Sequence, residues 1–318
     1  MDYIVGYTGF VGSNIAEKHA FDGKFNTKNI EKAFGGHPDL LVYSGVRAEM
    51  FLANQNPEAD KALIDEAIDN IKKISPKKLV LISTIAVYKN PDSVDEDFEI
   101  NENELTAYGA NRLYLERWVE KNIPDHLIVR LPALYGHNIK KNFLYDYLHY
   151  IPAMLNETKY TELVKKETEI LGSALILEHY KKQDNGFYKC DAIQDTTEAG
   201  EKIQKQLKDT FKVLGFSALN FTDSRGVYQY YNLANLWSDI QKALVNNISL
   251  LNLAVEPVTV AEVYEYLTGE QFVNELPKEV PYYNYKTKYD KLWNGKNGYM
   301  CSKEQVLAGI KKFVGEYE

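Results

Sequence analysis

The stretch Gly6-Tyr7-Thr8-Gly9-Phe10-Val11-Gly12 stands between two segments of different character. Before it, the short apolar run Tyr3-Ile4-Val5 predicts a buried β-strand. After it, Ser13 to Lys18 has the composition of a helix. Three glycines at a spacing of three residues therefore connect the first strand to the first helix, which is the arrangement of a phosphate-binding turn.

The chemistry of such a turn depends on the glycines and on the start of the helix. Without side chains, Gly6, Gly9 and Gly12 let the backbone approach a pyrophosphate closely. The amides and the dipole at the helix start attract its negative charge. The sequence therefore predicts that these glycines, with Phe10 and Val11, bind the pyrophosphate of NAD or NADP. A plain tight turn is the alternative interpretation.

The second strand is predicted near Lys24-Phe25-Asn26-Thr27-Lys28-Asn29. An acidic residue that binds the adenosine ribose of NAD is expected at its end, and this segment has no carboxylate. Lys28 could favour the additional phosphate of NADP, and it could equally be a solvated loop charge. The choice between NAD and NADP stays open on these residues.

Strand and helix patterns alternate through the following hundred residues. Buried-strand patterns cover 39–46, 78–84 and 127–130, and helical patterns cover 54–74 and 106–121. This alternation predicts an α/β protein with a doubly wound parallel sheet, Rossmann-like. Because the second and third strands lie close together in sequence, we expect that half of the sheet to be short.

The third strand ends in Ser44 and Gly45, small residues that we assign to the predicted cofactor site. The chain divides into a dinucleotide-binding domain (1–150), a polar helical insertion without clear strands (151–220) and a smaller C-terminal substrate-binding part (221–318). Two capping boxes are predicted in the last part, Thr259 with Glu262 and Ser302 with Gln305.

Composition excludes several classes of protein. The 318 residues carry a formal net charge of −8 and no Lys/Arg cluster, which argues against a nucleic-acid surface. Cys190 and Cys301 lie far apart without metal-ligand spacing, so we expect neither disulfides nor a metal site. The first residues lack the features of a signal peptide, and no apolar run approaches the ~20 residues of a membrane helix. We therefore expect a soluble cytoplasmic protein with no membrane contact.

Three later segments carry a resemblance to a known family. They are Ser83-Thr84-Ile85-Ala86-Val87-Tyr88, Tyr108-Gly109-Ala110-Asn111-Arg112 and Arg130-Leu131-Pro132-Ala133-Leu134-Tyr135-Gly136. In this order they resemble the ST-x-x-VYG strand end, the YxxxK helix and the R-x-x-x-x-YG strand and turn of the extended short-chain dehydrogenase/reductases. Within these, the chain is similar to the NAD-dependent epimerase/dehydratase family, which acts mostly on nucleotide-activated sugars. The resemblance covers most of residues 1–150 and, more loosely, 220–275.

The position of Tyr108 matters more than its motif. Tyr-x-x-x-Lys/Arg occurs four times in the chain, close to the number expected by chance. Tyr108 is distinguished because it follows Thr84 by 24 residues and opens a predicted helix ahead of Arg130. The resemblance implies that Tyr108 is the acid/base and that the Thr84 hydroxyl orients the substrate oxygen.

Arg112 stands where the family has lysine, which also binds the nicotinamide ribose. A cation four residues along the helix favours the phenolate of Tyr108, whose pKa would otherwise lie near 10. Arg112 could serve the tyrosine and the ribose, or it could leave the site impaired, since arginine and lysine are not interchangeable. The alternative is a surface arginine paired with Glu116 at i+4.

Ile85 and Ala86 argue against one reaction of the family, the elimination of water from a sugar. Sugar 4,6-dehydratases of this family have an Asp-Glu pair there, and neither side chain of this sequence can transfer protons. The resemblance thus implies an NAD(P)-dependent epimerase or reductase of a nucleotide-activated sugar. A protein of the same fold that binds NAD(P) without turnover, in a regulatory or scaffolding role, is the alternative.

Substrate contacts are predicted at Asn142 and Arg225, with Asn138, Lys140 and Lys141 as further candidates after the Tyr135-Gly136 turn. The helical insertion could cap the substrate cleft, or be a solvent-exposed or oligomer-forming segment. Relatives commonly dimerise through the tyrosine helix. Here Leu113, Tyr114 and Trp118 could serve a homodimer or the core.

Overall fold

The computed structural model describes residues 1–317, apart from the side chain of Gln194. The strands are β1 (Asp2–Val5), β2 (Gly23–Phe25), β3 (Leu40–Tyr43), β4 (Lys78–Thr84), β5 (His126–Leu131), β6 (Ala133–Tyr135), β7 (Met154–Leu155), β8 (Tyr180–Lys182), β9 (Tyr188–Cys190), β10 (Val227–Tyr228), β11 (Tyr230–Asn232), β12 (Leu250–Asn252) and β13 (Val258–Thr259). The helices are α1 (Phe10–Lys18), α2 (Met50–Gln55), α3 (Pro57–Ile74), α4 (Ala107–Asn122), α5 (Phe143–Leu148), α6 (Glu157–Leu171), α7 (Leu175–His179), α8 (Glu198–Val213), α9 (Leu236–Val245), α10 (Val260–Thr268) and α11 (Lys303–Gly315).

The central sheet has six parallel strands in the order β12-β5-β4-β3-β1-β2. Strand order reverses at β1, which pairs with β2 on one side and with β3 on the other. In such sheets the crevice at the reversal, beyond the carboxyl ends of the strands, is the usual place for a ligand. The predicted doubly wound parallel sheet is confirmed, and β2 alone lies beyond β1, as expected for a short half.

Apolar residues on both faces of the strands explain why this sheet is covered twice. Along β4, Val80 packs into one buried cluster, whereas Leu79 and Leu81 belong to the cluster on the other face. The first cluster includes Ile15 of α1 and extends to residues of α9, α10 and α11, and the second includes Ile64 of α3. Continuous apolar runs are typical of strands buried on both faces.

Proline explains one difference from the predicted helices. The pattern over 54–74 indicated one helix, but the structure has two, α2 and α3, which meet at Asn56. Pro57 has no amide proton and disfavours helical geometry at the preceding residue, so it begins a new helix. The Asn56 side chain caps that helix by accepting from the amide of Ala59.

The segment 151–220 also differs from the prediction. It contains the helices α6, α7 and α8, but it also has a small antiparallel sheet in the order β7-β9-β8. Its buried side chains, such as Leu155, Leu207 and Phe211, form a cluster separate from those of the central sheet. The prediction that this segment has no strands was therefore wrong, whereas the division of the chain at 150 and 220 stays a prediction.

The C-terminal part contributes directly to the central sheet through β12, which pairs with β5. Both predicted capping boxes are present, at Thr259 with Glu262 and at Ser302 with Gln305, and they begin α10 and α11. Among the described residues, no helix combines the length and apolarity needed to cross a bilayer.

A buried ion pair attaches α4 to the sheet. Arg130 of β5 donates through Nε and Nη2 to both carboxylate oxygens of Glu116, with the shortest contact at 2.6 Å. The two side chains are only 3% and 1% exposed. Ser83 of β4 donates a short hydrogen bond to the same carboxylate. A helix and two adjacent strands thus share one charged cluster.

Replacement of Glu116 by alanine should destabilise the protein by about 3–5 kcal/mol, because it leaves the Arg130 guanidinium buried without a counter-charge. The matched control is Glu120→Ala on the same helix, which breaks the exposed pair with Arg117 and should cost less than about 1 kcal/mol. Denaturant unfolding of both variants measures the difference. Equal losses would contradict a structural role for the buried pair.

Candidate functional site

The glycine turn between β1 and α1 is closely packed. Gly6 has φ of +89°, and a Cβ built there would lie 2.6 Å from the Ser44 carbonyl oxygen. At Gly12, a Cβ would lie 2.2 Å from the Gly6 carbonyl oxygen. At Gly9, the corresponding distance to the same oxygen is 3.3 Å. The turn therefore requires glycine at positions 6 and 12 for packing within the chain itself, and glycine also leaves backbone accessible above it.

The helix α1 begins directly after the glycine turn. Gly9 is the N-cap, and no side chain caps this helix start. The Ser13 amide makes the first helical hydrogen bond, to the Gly9 carbonyl, so the amides of Phe10, Val11 and Gly12 precede the helical ladder. Such a helix start attracts an anion through its amides and its dipole. The predicted cofactor residues of the turn thus have the geometry of a phosphate cradle.

Ser44 joins the loop after β3 to the end of β1. Its amide and its hydroxyl both donate to the Val5 carbonyl oxygen, at 3.0 and 2.9 Å. A Cβ at Gly45 would lie 3.0 Å from Val5. Ser44 and Gly45 therefore lie beside the glycine turn at the carboxyl edge of the sheet, and their contact with a cofactor stays a prediction.

Thr84 and Tyr108 come together at the same edge. Thr84 ends β4, and its Oγ1 accepts from the Ala86 amide at 3.2 Å, which leaves its own proton to donate. Tyr108 lies in the first turn of α4, where its amide donates to Asn54 Oδ1 at 2.9 Å. The Tyr108 hydroxyl lies close enough to the Thr84 and Arg112 side chains for both to lower its pKa. Residues that are 24 apart in sequence thus form one polar group.

Arg112 is buried and paired with a carboxylate. Its guanidinium lies over the Tyr108 ring, 3.9 Å from the ring centroid. Nη1 forms a short ion pair with Asp60 of α3, and Nη2 donates to the Arg47 carbonyl oxygen at 2.6 Å. The Arg112 and Asp60 side chains are only 5% and 6% exposed. The cation therefore links α4 to α3 and to the loop after β3.

The alternative of a surface arginine paired with Glu116 is wrong. Glu116 pairs with Arg130, and the partner of Arg112 is Asp60. Sequence reasoning missed Asp60, Asn54 and the Arg47 carbonyl. Their contacts with α4 join residues 52 to 65 positions apart, and an aspartate in the first turn of a helix is expected for the helix dipole alone.

Opposing influences set the pKa of Tyr108. Burial raises it above the usual value near 10, and the carboxylate of Asp60 acts in the same direction. The Arg112 charge and the hydrogen bond with Thr84 lower it, but burial is the largest influence. The phenol is therefore held in its protonated form near neutral pH.

The residues predicted to bind substrate have structural partners. Asn142 caps α5 by accepting from the amides of Leu144 and Tyr145, and it donates to the Leu134 carbonyl oxygen. Arg225, 44% exposed, pairs with Asp223 and Glu275. Both engage neighbouring segments, and their role toward a substrate stays a prediction.

Lys141 connects the loop after β6 to the loop after β3. Its ammonium donates to the Ala48 carbonyl oxygen at 2.7 Å. In the same loop, Asn138 donates to Ser13 Oγ at 3.4 Å, and the His137 carbonyl accepts from Asn14 at 2.8 Å. The loop after β6 thus contacts both α1 and the loop after β3, the two segments that flank the glycine turn.

Within residues 1–317, no group of three or more His, Cys, Asp or Glu side chains has the arrangement needed to hold a metal ion.

In the loop after β2, the Lys28 amide donates to Asn26 Oδ1 at 2.9 Å. The Lys28 side chain is exposed there, on the β2 side of the glycine turn.

Comparison with known proteins gives one family match. A family model described as the RmlD substrate binding domain matches residues 3–158, just under half of the chain. This range includes the glycine turn, Thr84, Tyr108 and Asn142. No curated protein sequence matches the chain.

Solved structures of similar fold span almost the whole chain. A dTDP-4-dehydrorhamnose reductase from Bacillus anthracis, in complex with NADP, aligns with a TM-score of 0.60 at 16% identity and covers 99% of this chain and 97% of that one. A UDP-N-acetylglucosamine 4-epimerase from Methanobrevibacter ruminantium gives 0.61 at 9%, covering 99% and 96%. A GDP-D-glycero-L-gluco-heptose synthase from Campylobacter jejuni gives 0.54 at 15%, covering 99% and 97%. At these identities the likeness shows the fold alone, a Rossmann-like parallel sheet with helices on both faces.

Replacement of Gly12 by alanine should destabilise the protein by about 1–3 kcal/mol or more, because the new Cβ would collide with the Gly6 carbonyl oxygen. Gly315→Ala is the control. A Cβ at this position would have no heavy atom within 4 Å, and Gly315 is the last residue of α11. The control should change stability by less than about 1 kcal/mol. Thermal and denaturant unfolding would compare the two variants. A Gly12→Ala variant as stable as the control would show that the turn tolerates a side chain.

Proposed function

We propose that this protein is an NADPH-dependent reductase of a carbonyl group on a nucleotide-linked sugar. The observation that carries the proposal is the Thr84–Tyr108 pair, which lies at the same sheet edge as the glycine turn. Two of the similar structures, one in complex with NADP and one determined in the presence of NADPH, are named as sugar-nucleotide enzymes and support the same class of cofactor and substrate. The family match over 3–158 supports it independently.

The glycine turn fits the cofactor. A Cβ at Gly6 or Gly12 would fill space that the backbone needs, and the uncapped start of α1 presents amides to a pyrophosphate. Ser44 and Gly45 form the adjacent wall. Bound NADPH would supply the hydride for the reaction.

The protein's own residues would handle the proton. Thr84, whose oxygen accepts from the Ala86 amide, would donate a hydrogen bond to the substrate carbonyl oxygen and keep its proton. Tyr108, protonated because burial raises its pKa, would transfer its proton to that oxygen as the alcohol forms. Arg112, stacked on the ring, would stabilise the phenolate that remains.

The direction of proton transfer favours reduction. An enzyme that begins by oxidising an alcohol needs tyrosine as a base, and burial disfavours the phenolate of Tyr108. Elimination of water needs a further acid and base beside Thr84, where this chain has Ile85 and Ala86. Reduction requires only a hydride and one proton from Tyr108.

Lys28 supports NADPH over NADH as the cofactor. The segment from Lys24 to Asn29 has no carboxylate to bind a free ribose, and the exposed Lys28 side chain lies at the end of β2. A cation at this position would pair with the 2′-phosphate that distinguishes NADPH.

One observation favours the second candidate, a protein that binds NAD(P) without turnover. Arg112 already donates to Asp60 and to the Arg47 carbonyl oxygen, so fewer of its N–H groups are free to hold a nicotinamide ribose. A regulatory or scaffolding protein would need only the glycine turn. Turnover measurements separate the two candidates.

We also propose that the chain forms a homodimer through α3 and α4. Leu63 of α3 and Tyr114 of α4 are 37% and 44% exposed, and the two helices pack side by side. Leu113, by contrast, is only 1% exposed and belongs to the core.

Tyr108→Phe should lower turnover of a nucleotide-linked keto sugar by about 10²–10⁴-fold while NADPH binding is retained, because only the transferable proton is removed. The measurement is NADPH oxidation with a panel of 4-keto sugars linked to dTDP, UDP and GDP. Tyr266→Phe, at an exposed position of α10, is the matched control and should keep full activity. Unchanged turnover in Tyr108→Phe would refute the proton-donor role. NADPH binding by the native protein without turnover of any panel member would favour the second candidate.

Lys28→Ala should weaken NADPH binding by about tenfold and leave NADH binding unchanged, because the lost charge contacts only the 2′-phosphate. Fluorescence titration with both cofactors measures this ratio. Lys32→Ala, which removes an exposed cation four residues further on, should alter neither affinity. An equal loss of affinity for both cofactors would show that Lys28 does not act through the 2′-phosphate.

A further inference from the structure

A cavity lies away from the glycine turn and the Thr84–Tyr108 pair. Its volume is about 250 Å³, and none of its lining residues belongs to either of those groups. It lies between the short β6–β11 sheet, the start of α9 and the helix α11. At ~30 Å³ per water in the liquid, this volume equals that of about eight water molecules. It is therefore large enough for a small organic ligand.

Four aromatic side chains line this cavity. Tyr135, Tyr230 and Tyr231 line it and are at most 3% exposed, so the rest of the core holds their rings in place. Trp293 lines it from the segment before α11. The exposed Asn235 lies at its rim and gives a route from solvent. Electron-rich rings around a cavity attract a cation.

A carboxylate lies within the same cavity. Asp239 of α9 is only 9% exposed. Its Oδ2 accepts from the Tyr231 hydroxyl at 2.5 Å, and its Oδ1 accepts from Trp293 Nε1 at 2.7 Å. Both donors are neutral. Among residues 1–317, no lysine, arginine or histidine forms an ion pair with this carboxylate.

The charged groups near Asp239 leave its charge incompletely balanced. Lys242 on the same helix acts on it only through space, because its ammonium donates to the Leu292 carbonyl oxygen at 3.2 Å and lies over the Trp293 ring. Cys301, also in the cavity wall, has its thiol pKa raised to about 11 by burial and therefore stays neutral. Burial raises the pKa of Asp239 despite its two hydrogen bonds. A cation in the cavity would offset this desolvation cost by its attraction to the carboxylate.

We propose that this cavity binds a small organic cation with a methylated ammonium group, which Asp239 and the surrounding aromatic rings recognise. Charge balance selects a cation. Methylation is favoured because Tyr231 and Trp293 already use one lone pair of each Asp239 oxygen, so the carboxylate offers only about two further acceptor sites to the three N–H donors of a primary ammonium. A trimethylammonium group needs no acceptor and would pack against the aromatic rings. This inference does not depend on the proposed reductase function.

The test compares three probes of similar size by calorimetry on the full-length protein: choline, its uncharged analogue 3,3-dimethylbutan-1-ol, and ethanolamine. Choline should bind at one site with a Kd below about 1 mM, and the other two at least about tenfold more weakly. Equal binding of the uncharged analogue would show that the cavity does not recognise positive charge, and would overturn the proposal. Tighter binding of ethanolamine, or no binding of choline, would also overturn it.

Two variants locate the site. Asp239→Asn keeps the size of the side chain, removes its charge and should weaken choline binding by at least about tenfold. If that variant does not fold, as judged by circular dichroism, Asn235→Lys gives the answer instead. It adds a resident cation at the exposed rim, which should compete with choline. Gln241→Lys adds the same charge to an exposed position of α9 outside the cavity and should bind choline normally. Choline binding that Asn235→Lys leaves unchanged would place the site elsewhere.

Discussion

Two buried ion pairs on one helix hold the parts of the site in register. Glu116 joins α4 to β5 through Arg130, and Arg112 joins the same helix to α3 through Asp60. Isolated, each charge would cost several kcal/mol to bury, and the pairs are tolerated because several hydrogen bonds complete them. Tyr108 lies one turn before Arg112, so its position follows from theirs.

The first pair continues into a polar network that reaches the C-terminal part. Arg130 donates to the Tyr88 hydroxyl at 2.7 Å, and the side-chain amide of Asn252 in β12 donates to the same hydroxyl at 2.9 Å. The Asn252 amide donates to Glu96, whose other contacts are Thr287 and the amide of Lys288. The edge strand and the segment near residue 288 are thus positioned from the same charged centre as α4. A network of this kind is stable only when every member has its partner.

The second pair gives the site its electrostatic character. A lysine beside a catalytic tyrosine adds net positive charge, whereas Arg112 comes with its own carboxylate from Asp60. The surroundings of Tyr108 are therefore nearly neutral, and burial prevails in keeping the phenol protonated. This difference, rather than the motif alone, supports a proton donor over a base.

Local sequence determined the features whose cause is local: the glycine turn, the apolar strands β1, β3, β4 and β5, and the capping boxes of α10 and α11. Each follows from a steric, apolar or capping preference of adjacent residues, so it could be predicted without the fold. The break at Pro57 was readable in the same way. The strands β7 to β9 have only two or three residues, which is too short for a period to show. The partners of Arg112 and Glu116, and the site they organise, were decided by tertiary structure alone. Several residues could pair with either side chain, and only the packing of α3 and α4 against the sheet brings Asp60 and Arg130 within reach.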